Sequence, residues 1–391
     1  SETWLKRKGL FFTSITWNTK TRHLFSKGAK KKEDNRTLCV RQLLRRDLMY
    51  TGVAQFYVKN KFDNDSRAQV MKILEYVNAT FQYIIKNNAW MSQAIKNKSL
   101  KRLEEMNAVI GYPDWLWNNN TVDKLYEFVP KLEAGKSFAE HFFYLRENNH
   151  YQQLLRLKGK YFNKSYEEVV LKSHAFYDED KDLAGYPAAS LVTHYRKPPI
   201  PRATNFGTIG TVFVHILSNA IDRYDNKRTN DSIIKTEFWD NITKMNFCNN
   251  SKCLNNSEQC SDAGADCNSQ RYQKLHDYLG VRVAHRALEL SKNKYTEPYV
   301  LNDEKLNTED EIFFTFFGSL YCPYRVNEKC STKSTTIKVQ ERADIEDVSF
   351  PESLNEIVSI YDKFNSTFNC NGTLKDTCKL VPEMNIPAIG C

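Results

Sequence analysis

The sequence predicts a mainly α, disulfide-bonded protein with short edge strands near residues 172–195. Three observations predict it. Apolar residues recur at three- and four-residue steps across residues 40–110 and 121–171, the period of helices with one buried face. That period breaks between 172 and 204, where prolines stand at 187, 198, 199 and 201 and a brief apolar alternation reads as a strand or two before an irregular crossing segment. Ten cysteines, nine of them after residue 247, lie in surroundings rich in small and polar residues.

In chain order, QVMKILEYVNATFQYIIKNNAW (69–90) places Val70, Ile73, Leu74, Val77, Phe81, Ile84 and Ile85 on one helical stripe. SQAIKNKSLKRLEEMNAVI (92–110) continues as helix until Gly111-Tyr112-Pro113-Asp114 stops it, because proline disfavours helix in the residue before it. Leu125, Phe128, Leu132, Phe138 and Phe142 belong to the next helical block. Helix is expected again from Gly207, over 270–292 and 309–321, and near 351–364. Residues 223–236 are polar, and no internal repeat is present.

The chain has 391 residues, 41% apolar and 26% charged, a globular composition with room for two or three domains. No apolar run approaches the roughly 18 residues of a membrane span. SETWLKRKGLFF lacks the apolar core of a signal peptide, so a secreted protein would already have lost its targeting segment. The cysteines are Cys39, Cys248, Cys253, Cys260, Cys267, Cys322, Cys330, Cys370, Cys378 and Cys391. The 248–253–260–267 spacings do not form a paired CxxC zinc module, so disulfides and an oxidising compartment are the simpler reading. Twelve N-x-S/T sequons begin at Asn35, Asn64, Asn78, Asn97, Asn119, Asn163, Asn230, Asn241, Asn249, Asn255, Asn365 and Asn371. Chance supplies roughly a third of that number, which points to a secreted, heavily glycosylated surface. The net charge is +9, with Lys30, Lys31 and Lys32 in an exposed-looking loop. No nucleic-acid-binding motif accompanies that charge, so nucleic acid is not an expected partner.

Residues 212–222, VFVHILSNAID, pose the functional question. A zinc-peptidase helix carries two histidines one turn apart and a glutamate beside the first. Here His215 has Asn219 one turn on and Ile216 beside it.

The surrounding stretches resemble the neprilysin-type zinc metallopeptidases (gluzincins). VAQFYVKNKFDNDS (53–66), Trp90-Met91, IGYPDWL (110–116), HAFYDED (174–180), YPAASL (186–191), NFGTIGTVFVHILSNAIDRYDN (205–226), YQKLHDYLGVRVAHRALE (272–289) and IFFTFFGSLYC (312–322) follow one another in that family's order. The resemblance implies the C-terminal half of a two-lobed peptidase fold. It divides the chain into a basic N-terminal segment (1–36), a helical lobe (37–171) and a degenerate, thermolysin-like zinc-peptidase lobe (172–391).

At the chemistry the resemblance stops. The family's catalytic glutamate falls on Ile216, its second histidine on Asn219 and its third zinc ligand on Gln273, while His215 and the supporting Asp277 remain. The substrate-holding asparagine of the edge strand falls on His174. The oxyanion-stabilising histidine has no counterpart in 331–340, and the arginine after it falls on Lys338. Isoleucine takes no proton from water, and neutral amides are poor zinc ligands. The expected function is therefore that of an inactive, secreted pseudopeptidase that binds or scaffolds, with no metal or other cofactor. An active peptidase with a rearranged metal site and a purely structural extracellular component are the alternatives. For His215 itself the choice lies between a core residue hydrogen-bonded to Asp277 and a rebuilt metal site using Asp277 with His276 or His285. Adjacent helix residues 276 and 277 point apart, which counts against the second.

The family's ectodomain is about twice this length. The resemblance implies that Cys39, Cys322 and Cys370 bond into the absent N-terminal half, and that Cys248 pairs with Cys378 or Cys391. Either a second polypeptide supplies that half, disulfide-linked or not, or the chain is a truncated paralogue whose Cys253, Cys260, Cys267 and Cys330 pair in new ways. A peptide or protein ligand is the other expected partner.

Overall fold

The computed structural model describes residues 35–45, 48–131, 137–159, 162–197, 200–228, 233–254, 269–291, 299–301, 304–306, 308–321, 350–370, 378 and 380–382. Helices dominate them. In order they are α1 (Asn35–Leu43), α2 (Tyr50–Lys61), α3 (Asn64–Asn87), α4 (Gln93–Glu105), α5 (Asn119–Leu125), α6 (Phe138–Leu157), α7 (Ala188–His194), α8 (Arg202–Asn205), α9 (Thr211–Ala220), α10 (Asn241–Asn250), α11 (Ser269–Leu290), α12 (Glu309–Ser319), α13 (Phe350–Ser359) and α14 (Asp362–Thr367). Strands β1 (Asn107–Gly111), β2 (Phe176–Asp178) and β3 (Leu183–Pro187) form one sheet in the order β1-β3-β2. Two further antiparallel strand pairs are β4 (Tyr224–Arg228) with β5 (Ile233–Glu237) and β6 (Tyr299–Leu301) with β7 (Glu304–Leu306).

The chain divides into two compact units. One comprises Ser1–Arg67, Val109–His174 and Tyr186–Val192; the other comprises Ala68–Ala108, Ala175–Gly185 and Thr193–Cys391. Residues 68–108 join the second unit because their apolar stripe and aromatic residues are committed there. Asn88 Nδ2 and Trp90 Nε1 both donate to the Leu380 carbonyl at 3.0 Å, and the Trp90 ring lies 5.1 Å from Trp239 and 5.5 Å from Phe247.

In the first unit, α2 is pinned by side-chain hydrogen bonds to backbone. Gln55 Nε2 donates to the Leu116 carbonyl at 2.9 Å, and the Tyr126 hydroxyl accepts from the Gly52 amide at 3.1 Å. Ser137 caps α6, its hydroxyl accepting from the Glu140 amide. In the second unit, the predicted stripe of α3 is buried at Val70, Leu74, Val77, Phe81, Ile84 and Ile85, with only Ile73 half-buried. Ser92 caps α4 through the Ile95 amide. The expected continuation of α4 to residue 110 is corrected: the helix ends at Glu105, Met106 is extended, and Asn107–Gly111 is strand β1. β-branched Val109 and Ile110 suit a strand, and a place in the sheet outweighs a few more helical residues. The strand reading near 172–195 holds for β2 and β3, which pair antiparallel with Phe176 opposite Gly185. Residues 188–194, inside the range expected to hold short strands, form α7 instead.

Candidate functional site

The site is built in the second unit where α9 crosses α11. α8 runs into α9 through a π-helical turn at Phe206–Gly210. Hydroxyls close that wide turn: Thr208 Oγ1 donates to the Thr204 carbonyl and Thr211 Oγ1 to the Gly207 carbonyl, both at 2.9 Å. Two glycines permit the packing. A Cβ at Gly207 would collide with the Phe313 carbonyl oxygen on α12, and one at Gly280 on α11 would stand 3.1 Å from the Thr211 carbonyl oxygen. The backbones meet closely there, which holds His215 opposite Asp277.

α9 buries Phe213, Val214, Ile216, Leu217 and Ala220, leaving His215 and Asn219 half-exposed one turn apart. The His215 side chain is 43% exposed, with its Nδ1 at 3.0 Å from Asp277 Oδ1. The expectation of a core histidine is thereby corrected: the hydrogen bond is present, but the ring is open to solvent. Because the carboxylate accepts, the proton sits on Nδ1 and Nε2 keeps its lone pair. Asp277 also accepts from the Tyr321 hydroxyl, whose pKa is pushed well above the usual tyrosine range by burial and by that carboxylate.

Ile216 is 2% exposed and faces the core. His276 is buried behind the site. Its Nδ1 lies 2.7 Å from Ser218 Oγ, which itself donates to the His215 carbonyl at 2.8 Å, so His276 carries its proton on Nδ1. Its Nε2 stands 3.9 Å from Asp222. Burial lowers the His276 pKa to about 4, only partly opposed by Asp222. Beside Ser218 and Asp222 a small apolar pocket opens among Phe81, Trp90, Ile221, Trp239, Leu275 and Leu279.

The rebuilt metal site is not assembled. His276 is turned to Ser218, and His285 is fully buried, with Nδ1 at 3.0 Å from the Tyr361 hydroxyl and Nε2 at 3.0 Å from Asp310. No group of three His, Cys, Asp or Glu among the described residues is placed to share a metal ion. Gln273 lies on α11 one turn before Asp277. One imidazole, two neutral amides and a carboxylate already taken by His215 and Tyr321 do not fit a catalytic zinc ion, which takes three basic protein ligands. His174 ends the first unit just before β2, exposed, with its Nδ1 at 3.2 Å from Ser173 Oγ. Lys338 lies outside the described residues. Ser218 and Tyr321 were not singled out from the sequence. Ser218 carries no signal beyond being three residues from His215, and Tyr321 lies 44 positions from Asp277 in the chain.

Cys253 and Cys378 form a disulfide across 125 residues. Cys248 is itself disulfide-bonded. Cys39 is buried and Cys370 exposed, both as free thiols. Cys260, Cys267, Cys322, Cys330 and Cys391 lie outside the described residues. Of the sequons, Asn64, Asn97, Asn119, Asn163, Asn241 and Asn249 are exposed and Asn78 is half-buried. Asn365 is buried, and its Nδ2, the atom a glycan would occupy, donates to the Ser359 carbonyl at 3.0 Å. Asn35, Asn230, Asn255 and Asn371 fall outside the described side chains. No helix among the described residues is long and apolar enough to cross a membrane.

The profiles of peptidase family M13 match residues 14–113 (its N-terminal part) and 174–383. The second covers more than half of the chain, and the protein belongs to this family. It is 25% identical over 329 residues to Neprilysin-1 of Caenorhabditis elegans, covering 80% of this chain and 41% of that one. To Endothelin-converting enzyme-like 1 of Homo sapiens it is 22% identical over 360 residues, covering 88% and 43%. The chain thus spans less than half the length of these relatives. Among solved structures, a zinc metalloprotease of Mycobacterium tuberculosis in its open state superposes with a TM-score of 0.65 at 20% identity, covering 92% of this chain and 54% of that one. A Haemonchus galactose-containing glycoprotein complex gives 0.57 at 18% identity, covering 87% and 52%. The fold is that of M13 metallopeptidases.

Proposed function

We propose that this M13 family member is a pseudopeptidase: a secreted, glycosylated protein that binds or scaffolds and does not cleave. The observation that carries the reading is Ile216. The position that would supply the general base holds an aliphatic side chain packed in the core, so no group there can take a proton from water. Asn219 and Gln273 support it from the ligand side, since neither amide replaces an imidazole or a carboxylate at zinc. What remains at the site, the exposed imidazole of His215 with Asp277 behind it, is equipped to accept a hydrogen bond at Nε2 from a peptide N–H. The sequons and the disulfide suit an oxidising, extracellular setting.

The test is zinc content by mass spectrometry together with turnover of a quenched fluorescent peptide. The expected result is sub-stoichiometric zinc and no turnover that a chelator abolishes. One zinc per chain with chelator-sensitive cleavage would overturn the reading. We also propose that a second polypeptide supplies the part of the fold that this chain lacks. Deglycosylated protein from its natural source, weighed with and without reductant, then contains a further chain. A single 391-residue mass under both conditions refutes a disulfide-linked partner.

A further inference from the structure

His215 turns its acceptor side to solvent. Asp277 Oδ1 takes the Nδ1 proton at 3.0 Å, and Nε2 is left with a lone pair and no hydrogen bond among the described residues. Asp277 is held from its other side by the Tyr321 hydroxyl, which burial and that carboxylate keep protonated. Asn219 lies one turn on, half-exposed on the same face of α9, and its side-chain amide has no hydrogen bond among the described residues either. An imidazole lone pair and an amide oxygen thus stand side by side, with a carboxylate behind them.

The charge around these acceptors is negative. Apart from burial, the charged groups that act on His276 are Asp222, His215 and Asp277, and the one that acts on Tyr321 is Asp277. Burial keeps His276 neutral at neutral pH, so it adds no positive charge. The nearby cations of the chain are engaged elsewhere. Lys274 pairs with Glu356, Arg282 donates to the Ile360 carbonyl at 2.7 Å, and Arg223 lies 4.8 Å from the centre of the Tyr224 ring. A carboxylate brought to Nε2 would meet a lone pair with Asp277 behind it. A primary ammonium brings three N–H donors and a positive charge, which suit both acceptors and the carboxylate.

We propose that this site takes a primary ammonium group of a peptide, with one N–H on His215 Nε2 and a second on the Asn219 side-chain oxygen. The inference rests on the pseudopeptidase reading, because a zinc ion would occupy the same lone pair and draw oxygen ligands instead. A peptide N-terminus and a lysine side chain carry the same group, and the experiment separates them.

The probes are glycinamide, which has the amine and no carboxylate, and N-acetylglycine, which has the carboxylate and no amine. Each is titrated into protein of measured zinc content at about pH 7.5, above the ordinary histidine pKa. Histidine ring signals in NMR report binding, with His215→Ala identifying the signal of His215. Glycinamide is expected to shift that signal saturably and to bind at least about tenfold more tightly than N-acetylglycine. Asn219→Ala, at a half-exposed position, and Asp277→Asn should each weaken glycinamide about tenfold while the buried His276 signal stays in place. A lysine-centred alanine pentapeptide amide then gives the source: binding lost on N-acetylation assigns the N-terminus, and binding lost on replacing the lysine assigns its side chain. In zinc-free protein, equal binding of the two small probes, which a plain peptide N–H would give, overturns this inference and leaves the pseudopeptidase reading standing. So does a His215 signal that neither probe moves, or a pentapeptide that binds without either amine. One zinc per chain, displaced by a chelator with a shift of the His215 signal, overturns both.

Discussion

Helices α9 and α6 solve opposite problems. α9 buries its apolar residues and leaves His215 and Asn219 in reach of solvent, the ordinary order for a helix that carries a site. α6 buries Asn148 and Gln152 and leaves Phe143, Leu154 and Leu157 outside. In α9 the hydrophobic effect and the site agree, so the same helix packs its apolar face and presents His215. In α6 hydrogen-bond satisfaction decides the inward face, because an orphaned carbonyl costs about as much as the burial of one apolar side chain recovers. The residues that pack α9 into the fold and those it turns toward solvent are therefore different residues of the same helix.

The largest expected effect comes from returning the family residue to α9. Ile216→Glu places an unpaired carboxylate where Ile216 is 2% exposed. It should cost about 3–5 kcal/mol in urea unfolding without conferring peptidase activity. An unchanged unfolding midpoint would show that this face of α9 is not core and would break the comparison. His276 comes next. Its folded pKa of about 4 lies below its ordinary 6.5, so the unfolded chain binds the proton first. Stability from this group is complete above pH 6.5, falls as pH drops through the window to about 4, and levels off below it. The loss amounts to at most about 3 kcal/mol. His276→Ala should flatten that part of the pH dependence relative to wild type, and an unaltered slope would count against it.

Asn148→Leu sharpens the α6 side of the comparison. It adds apolar surface to the inward face, yet it strips partners from the Leu125 carbonyl and the Phe128 amide, so it should destabilise by about 1–2 kcal/mol. A gain in stability would mean that the buried amides are incidental. The smallest effect is that of Leu157→Ser, expected within about 0.5 kcal/mol of wild type in stability, because an 84% exposed side chain has little packing to lose. Thermal melts would check it.

Much of the frame is legible in the chain itself. The periodic apolar spacing determines α3, α11 and α12, and the identities Ile216, Asn219 and Gln273 fix one aliphatic and two amide side chains at those positions, because an amide or a methyl group has the same chemistry wherever it is folded. Tertiary structure alone decides the rest. Whether 107–111 is helix or strand depends on a neighbouring strand distant in sequence, and the sheet takes it. Whether His215 is core or open depends on which side of α9 faces α11, which Gly280 and Gly207 set by letting backbones approach. That Asp277 meets Tyr321 and that Cys378 bonds Cys253 are both long-range pairings. Local sequence carries no record of which distant group will be adjacent. Only the packed chain, in which each buried polar atom must find a partner, selects one.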